Sequence, residues 1–400
     1  MRILTNYQDT LEFLKPYLRN SKPKSTAKNL PSQIHGPWSE DQEAAENTLK
    51  YVFEKLHHNC YVLCSTGTEF EFVKLESSTT APSLKPFIEQ KLNKTIKGTK
   101  RKTLLKTLRK KQWRVMQCRI KEYDKGTFAT EFSEFINSLG GKIPQGIFVF
   151  SLTDAQILRE DGQEPWQMIT GSKDLGSYKF NKHLPLFAYS GQLGYWDIPI
   201  PTQDDIEYVM NPQTIQDIPW SEKIQKAVFR GNPTGCGYTI ETNMRLKIST
   251  LKSPLLDAGI IQNKSMALKF DPIEGLGELN QPQIKKVPKL DLLKEQIKFK
   301  YIVHIDGNVL AYRLLKSMLL GSLILRVRSP YVHWLDHMME EGKHYIYIKE
   351  DLSDLEQRIE WCIENDLKAK KIAEQGQRFA QKVLTKNFIE KYFIKLLKAL

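Results

Sequence analysis

The stretch YIVHIDGNVLAYRLLKSMLLGSLILRV, residues 301–327, decides the fold of this chain. An apolar run opens it, a polar break of three residues follows, and apolar residues then recur at three- and four-residue spacing before a second apolar run begins. This pattern predicts a strand at 301–305, a crossover helix and a strand from 323, joined as a parallel pair requires. Ligands of open parallel sheets bind beyond the carboxyl ends of the strands. The polar break, residues 306–308, is therefore a candidate ligand site.

Arg313 lies in the first turns of the predicted helix. The helix dipole disfavours a cation there by about 0.3–1 kcal/mol, so an arginine at this place suggests a nearby anion. A phosphate fits the planar donors of arginine well. Contact with solvent, or with a carboxylate such as Asp306, explains the same residue without any ligand.

The length of 400 residues predicts at least two domains, and the net charge of +13 predicts an attraction to anions without choosing among them. The five cysteines are scattered and form no CxxC pair, which indicates neither a zinc site nor a disulfide framework and favours a reducing compartment. The first twenty residues lack the apolar core of a signal peptide, and no apolar run approaches the ~20 residues that span a bilayer. These features predict a cytoplasmic protein.

Strand and helix patterns alternate along the chain, which predicts an α/β fold. Strands are predicted at residues 113–122, 147–152, 184–189, 226–230 and 344–349, and as a pair within 59–75. Helices are predicted at residues 39–55, 84–96 and 127–139, after a capping box at 353–356, and over the final fifty residues. Residues 204–220 and 270–289 are predicted to be loops. Residues 100–114 are the most basic stretch, either a solvated helix face or a contact for an anionic surface.

A second candidate anion site is the glycine-rich loop GNPTGCG, residues 231–237, which follows the strand 226–230 and precedes a helix predicted from about Glu241. Glycines let the backbone approach a ligand closely, and successive N–H groups can surround a phosphate. The loop is neither a Walker A motif nor a Rossmann glycine fingerprint, and a plain turn explains it equally well. Arg230 and Arg245 flank it. Together with the loop before Arg313, it could hold a diphosphate.

The second half of the chain resembles glycosyltransferase family 90, which includes protein O-glucosyltransferases and capsule-associated xylosyltransferases. The resemblance covers roughly residues 195–385 and is thinner over 1–145. The sequence departs from the family pattern in four places: Ala311 replaces a serine, residues 341–343 replace a Pro-Trp pair, Tyr347 replaces a proline, and an insertion separates Gly231 from Arg245. The matching features, in the family's order and spacing, are Phe229-Arg230-Gly231, Tyr301, Asp306-Gly307, Arg313, Gly321-Ser322, Trp334-Leu335, His344-Tyr345, residues 351–355 and Asn365-Asp366.

This resemblance implies an inverting, metal-independent transfer of a hexose or pentose from a UDP-sugar to an acceptor hydroxyl, with no cofactor besides the donor substrate. It also implies a GT-B fold, in which two Rossmann-like domains face each other across a cleft. The domains expected are an acceptor-side domain at 1–215, a nucleotide-sugar domain at 216–380, and a C-terminal helix at 381–400 that packs back on the first domain.

The resemblance also implies the roles of individual residues. Asp154, which follows a predicted strand, matches the family's general base, although a turn or helix-capping aspartate would look the same. Arg245 and Arg313 would stabilise the departing diphosphate, and helix starts near Glu241 and Val309 would add backbone donors. The donor-binding residues implied are Arg230, Gly231, Asn232, Arg245, Asp306, Gly307, Asn308, Val309, Leu310, Ala311, Tyr312 and Arg313.

Two other functions fit the same residues: a basic nucleic-acid-binding protein, and a transferase fold that has become a non-catalytic scaffold. No helix-turn-helix, zinc-finger or RNP signature supports specific nucleic-acid binding. The expected partners are a UDP-sugar and a glycan, protein or lipid-linked acceptor, with peripheral contact to anionic surfaces through residues 100–114. We expect a cytoplasmic monomer of viral or bacterial type.

Overall fold

A computed structural model of the chain describes residues 2–4, 47–48, 60–75, 127–152, 156, 158–159, 161, 186–235, 237–261, 268–271, 275–278 and 284–399. The chain forms two compact units. The N-terminal unit comprises Met1–Ile206, Val332–His337 and Glu390–Leu400, and the C-terminal unit comprises Glu207–Tyr331 and Met338–Ile389. The α/β class is confirmed, and the arrangement of two domains across a cleft stays a prediction.

The N-terminal unit is built on a mixed sheet with the strand order β1-β3-β2-β4-β5-β7. Strand β2 lies antiparallel to β3 and β4, whereas β4, β5 and β7 run parallel to one another. The predicted strand pair within 59–75 is thus confirmed. The elements are β1 (Arg2–Leu4), β2 (Cys60–Ser65), β3 (Phe70–Leu75), α1 (Thr127–Leu139), β4 (Gly146–Ser151), β5 (Leu186–Ala188), β6 (Gly191–Gln192), β7 (Ile198–Pro199) and α2 (Gln203–Met210).

Aromatic side chains fill the core of this unit. The ring of Phe132, on α1, lies 5.3 Å from that of Phe150 on β4 and 6.0 Å from that of Phe393. Phe393 belongs to the segment Glu390–Leu400, which returns to the N-terminal unit, and it also stacks on Phe150. All three rings are fully buried. Because each buried aromatic ring contributes a large apolar area, these contacts tie the returning segment to the sheet.

The C-terminal unit contains a six-stranded parallel sheet with the order β12-β9-β8-β13-β14-β16. Strands β13 and β14 are buried along their whole length. Strands of a parallel sheet are covered on both faces, so they consist of nearly continuous apolar residues, as here. The strands of this sheet are β8 (Ile224–Gly231), β9 (Leu256–Ile261), β12 (Lys286–Val287), β13 (Phe299–His304), β14 (Leu323–Val327) and β16 (Ile346–Ile348). Three further strands lie outside it: β10 (Leu268–Asp271), β11 (Gly275–Glu278) and β15 (Tyr331–Val332).

Within the described residues, four α-helices belong to this unit: α3 (Met244–Thr250), α4 (Leu314–Met318), α5 (Leu355–Glu364) and α6 (Asp366–Val383). The last helix, α7 (Lys386–Lys398), lies mostly in the segment Glu390–Leu400 of the N-terminal unit. The predicted capping box at 353–356 is wrong. Helix α5 is preceded by Asp354, whose carboxylate accepts the N–H of Lys349, and the carboxylate of Glu356 accepts a hydrogen bond from Ser253 instead of turning back to the helix start. Tertiary partners have replaced the local cap.

Three features of the fold went unpredicted. The region 204–220, predicted as loop, begins with α2, and the region 270–289 contains the antiparallel pair β10–β11 and the short β12. Strand β9 carried no clear sequence signal because its residues, LDAGII, mix small and charged types. The predicted helices at 39–55 and 84–96, the strand at 113–122 and the basic stretch at 100–114 lie outside the described residues.

Asp205 anchors a buried polar cluster in the N-terminal unit. Its carboxylate accepts hydrogen bonds from the hydroxyl of Thr202 at 2.7 Å and from the indole N–H of Trp334 at 2.8 Å, and it lies 3.8 Å from the ring of His333. Burial raises the pKa of Asp205 to about 7, although the hydrogen bonds from Thr202 and Trp334 oppose the rise. The segment Val332–His337 is thus held to this unit by a carboxyl group that titrates near neutrality.

We therefore expect the free energy of unfolding to decrease as the pH rises from 4 to 7, because Asp205 loses its proton over this range. Because the folded protein holds this proton to a higher pH than the unfolded chain, the contribution is complete below pH 4 and is lost as the pH rises to about 7. Asp205→Asn should flatten the profile, changing the difference in unfolding free energy between pH 5 and pH 8 by on the order of 2–4 kcal/mol. Urea denaturation at pH 5 and at pH 8 measures this difference in unfolding free energy. Glu222→Gln, at an exposed carboxylate, is the control, and parallel profiles for Asp205→Asn and the wild type would contradict the prediction.

Candidate functional site

The strand order of the C-terminal unit places two loops side by side. Numbered by their appearance in the sheet, β8, β9, β12, β13, β14 and β16 are strands 1 to 6, and their spatial order is 3-2-1-4-5-6. In this arrangement the connection after strand 1 leads to one side of the sheet, and the connection after strand 4 leads to the other side. Ligands of such sheets bind in the crevice beyond the carboxyl ends of these two strands. Strands 1 and 4 are β8 and β13. The glycine-rich loop follows β8, and the polar break of residues 306–308 follows β13.

Asn243 organises the glycine-rich loop. Its side-chain oxygen accepts the N–H groups of Arg245 and Leu246 and so caps helix α3. Its amide nitrogen donates to the carbonyl oxygens of Pro233 and Gly237. One buried side chain thereby fixes both the loop and the start of the helix.

Asp306 organises the second loop. One carboxylate oxygen accepts the N–H of Ala311 at 2.7 Å and the other accepts the hydroxyl of Ser329, while His304 lies 3.6 Å away. Burial alone would raise the pKa of Asp306, but His304, Arg326 and the Ser329 hydroxyl outweigh it and lower that pKa to about 2. Asp306 is therefore a buried anion that shapes the loop from within.

The predicted helix starts at Glu241 and Val309 are both wrong. Helix α3 begins at Met244 and helix α4 at Leu314, and they have seven and five residues. The hydrogen bond from Ala311 to Asp306 holds the second loop in an irregular path, and Arg313 occupies the position just before α4. Helices this short have little dipole of their own, so backbone donors for an anion would come from the loops.

Arg245 joins the two loops. Its Nε donates to the carbonyl oxygens of Ile305 and Asp306 at 3.2 and 3.0 Å, and Nη2 donates to Ile305 at 2.9 Å. Its Nη1 donates to the carbonyl oxygen of Asn232 at 3.4 Å and makes a short contact with the hydroxyl of Thr234. The guanidinium group is therefore held by the backbone of both loops.

Arg313 lies close enough to Arg245 for their charges to interact. Burial, followed by the positive charge of Arg313, lowers the pKa of Arg245. The guanidinium carbon of Arg313 lies 6.0 Å from the ring centre of Phe229, on β8. Two neighbouring cations repel each other, and an anion between them would relieve that repulsion. The structure thus brings the two predicted arginines together at the ends of β8 and β13.

Arg230 is engaged elsewhere. Its guanidinium group donates to the carbonyl oxygen of Asp257 at 2.8 Å and to the carboxylate of the same residue at 2.7 Å, on the neighbouring strand β9. The side chain is almost completely buried. Although the sequence groups Arg230 with the donor-binding residues, its described contacts make it a tie between two strands.

The remaining predicted residues line the two loops in different environments. Asn308 is exposed, and its side chain accepts the N–H of Gly235 at 2.8 Å, which joins the loops a second time. Gly231 packs against the ring of Phe229, where a side chain would collide with it. Leu310 and Ala311 are buried, Gly307, Val309 and Tyr312 are half-buried, and Asn232 is exposed.

Asp154, the predicted base, lies outside the described residues, so its role stays a prediction. Of the residues that sequence reasoning missed, Asn243 carried a usable signal, because asparagine is a preferred residue directly before a helix. Thr234 and Ser329 carried none, since hydroxyl residues in loops are common and only the fold brings these two to Arg245 and Asp306.

Within the described ranges, no group of three or more His, Cys, Asp or Glu side chains is arranged to hold a metal ion. Metal independence of the reaction stays a prediction. Over the same ranges, no helix is both long enough and apolar enough to cross a membrane.

Comparison with known proteins connects this site to a family. The family described as "Glycosyl transferase family 90" matches residues 130–400. Uncharacterized protein 035R of Invertebrate iridescent virus 3 is 33% identical over 263 residues, which cover 60% of this chain and 24% of the viral protein. Human Protein O-glucosyltransferase 3 is 30% identical over 231 residues, covering 54% of this chain and 41% of the human protein. The chain thus spans less than half the length of either relative.

A solved structure of Anabaena Alr3699/HepE in complex with UDP-glucose aligns with 44% of this chain and 49% of its own, at 15% identity and a TM-score of 0.31.

Proposed function

We propose that this chain, which belongs to glycosyl transferase family 90, transfers a sugar from a UDP-sugar to an acceptor hydroxyl with inversion at the sugar carbon. The observation that carries the proposal is that Arg245 contacts the backbone directly after β13, while Arg313 lies over Phe229 of the adjacent strand β8. A pair of adjacent cations at this point of a parallel sheet suits the diphosphate of a nucleotide sugar.

The chemistry assigns a separate task to each group. In an inverting transfer the acceptor oxygen attacks the sugar carbon from the side opposite the diphosphate, and UDP departs with the electron pair of the broken bond. A base must take the proton of the acceptor hydroxyl, and Asp154 is our candidate. Arg313 would neutralise the charge that grows on the diphosphate as the bond breaks.

The names of the relatives suggest the first substrates to test. The human relative is called a protein O-glucosyltransferase, so UDP-glucose and a protein hydroxyl are the first donor and acceptor on this proposal. Other hexoses or pentoses, and glycan or lipid-linked acceptors, follow as further candidates. We further propose that the protein acts as a monomer in the cytoplasm and needs no metal ion.

A thermal-shift screen against UDP-sugars tests the donor. We expect UDP and its sugar conjugates, with EDTA present, to raise the melting temperature by several degrees, because a ligand at about 100 times its Kd stabilises the folded state by ~2.7 kcal/mol. UMP should have a much smaller effect, since it lacks the second phosphate that the positive charge of this site is proposed to attract.

The same screen separates the alternatives. No shift with any UDP compound, with or without Mg²⁺, would refute the donor class. Duplex DNA or RNA at 150 mM salt is the arm for the nucleic-acid hypothesis: a shift there, in place of one with UDP, would favour the basic binding protein. UDP binding without transfer to any acceptor would favour the non-catalytic scaffold.

A further inference from the structure

We infer that Arg245 is a positioning residue, which locks the two donor loops to each other and leaves the direct contact with the diphosphate to Arg313. This inference rests on the proposed function for the identity of the ligand. It assigns different tasks to two arginines that the sequence presents as equivalent.

The first observation is the direction of the hydrogen bonds of Arg245. All three of its side-chain nitrogens donate to acceptors of the protein, namely the backbone at Asn232, Ile305 and Asp306 and the hydroxyl of Thr234. A guanidinium group has five N–H donors in a fixed plane. With its plane set by carbonyl oxygens of two loops, little of its donor capacity remains for a phosphate.

The second observation is the space that Gly307 leaves for this contact. A Cβ atom at position 307 would lie 2.9 Å from the hydroxyl oxygen of Thr234 and 3.2 Å from the guanidinium carbon of Arg245. Distances this short would require the neighbouring groups to move. The absence of a side chain at Gly307 is therefore what allows Arg245 and Thr234 to reach the second loop.

The third observation is that both ends of the connection are themselves held. Asn243, two residues before Arg245, caps the start of α3. Asp306 holds the second loop through its hydrogen bonds with Ala311 and Ser329. Arg245 thus joins two preformed loops. A lysine in its place would keep the charge, but a single ammonium group cannot reach both sets of carbonyl oxygens.

The test is hydrogen exchange of the ligand-free protein combined with UDP titration. In Arg245→Lys and in Gly307→Ala, we expect faster exchange in peptides covering residues 232–235 and 305–311 while no ligand is present. UDP affinity should fall about 10–100-fold, as the loss of one or two hydrogen bonds implies, with little change in the midpoint of global unfolding. Because both changes break one connection, the double variant should lose no more affinity than the more severe single variant.

Control variants separate this role from direct binding. Gly141→Ala, at a glycine with no atom within 4 Å of the added Cβ, should change neither measurement. If Arg245→Lys does not fold, Thr234→Val replaces it in both measurements, since this change removes only the contact of the Thr234 hydroxyl with Arg245. Unchanged exchange in ligand-free Arg245→Lys and Gly307→Ala, together with weaker UDP binding in Arg245→Lys alone, would overturn the inference and make Arg245 a direct ligand. Failure of the wild type to bind UDP would refute the proposed function, and the exchange result would still decide whether Arg245 joins the loops.

Discussion

Arg313→Ala is expected to lower the rate of sugar transfer on the order of 10²–10³-fold, the effect of removing one preorganised group that stabilises a developing negative charge. Arg313 lies directly before α4, in the segment that follows β13, and its guanidinium group lies over the ring of Phe229 on β8. Since Arg245 is occupied by backbone carbonyl oxygens, Arg313 would carry most of the charge compensation. Initial rates with saturating UDP-sugar measure the loss in kcat.

The matched control is Arg378→Ala, which removes an exposed arginine of the same unit on helix α6. Its rate should stay within a factor of two or so of the wild type, because exposed charges away from a site contribute little. Equal losses in both variants would mean that the overall positive charge of the protein matters and that Arg313 has no specific place in the reaction.

Asp154→Asn is expected to abolish detectable transfer while leaving UDP affinity unchanged. The amide cannot accept the proton of the acceptor hydroxyl, and the residue follows β4 of the N-terminal unit, whereas the proposed diphosphate site belongs to the C-terminal unit. A transfer assay and a UDP titration on the same preparation separate the two effects.

Asp161→Asn provides the comparison, since Asp161 is an exposed carboxylate in the same stretch of chain, paired with Arg159. It should retain full activity. Transfer at the wild-type rate by Asp154→Asn would assign the base to another carboxylate.

The parts of the fold that the sequence predicted best are those in which a local pattern and the tertiary environment agree. The apolar run at the start of residues 301–327 is strand β13 because it is buried on both faces of a parallel sheet, and nothing in its environment opposes that pattern. Helix α1 has the predicted limits, residues 127–139, because Gly140 with φ +55° ends it. In both cases the local preference was decisive.

The errors arose where side chains from distant parts of the chain replace local preferences. Residues 309–313 have helical spacing, yet the carboxylate of Asp306 binds the N–H of Ala311 and delays the helix to Leu314. The expected capping box failed because Glu356 bonds to Ser253, more than a hundred residues earlier. Contacts of this kind depend on the completed fold.

The candidate site shows the same division. The sequence marked both loops and both arginines, because glycine, asparagine and arginine at strand ends are recognisable types. It could not distinguish Arg245, held by backbone oxygens, from Arg313, or reveal that Arg230 is paired with Asp257. Residue type indicates which chemistry is available, and only the hydrogen-bond partners show how much of it is left for a ligand.

A crystal structure of the protein with UDP is the most direct test of the central claim, that the loops after β8 and β13 together bind a diphosphate. We predict diphosphate oxygens within hydrogen-bonding distance of the Arg313 guanidinium group and of backbone N–H groups in both loops, with Arg245 still bound to the carbonyl oxygens of Ile305 and Asp306. UDP bound away from these loops, with Arg313 making no contact to it, would contradict the account.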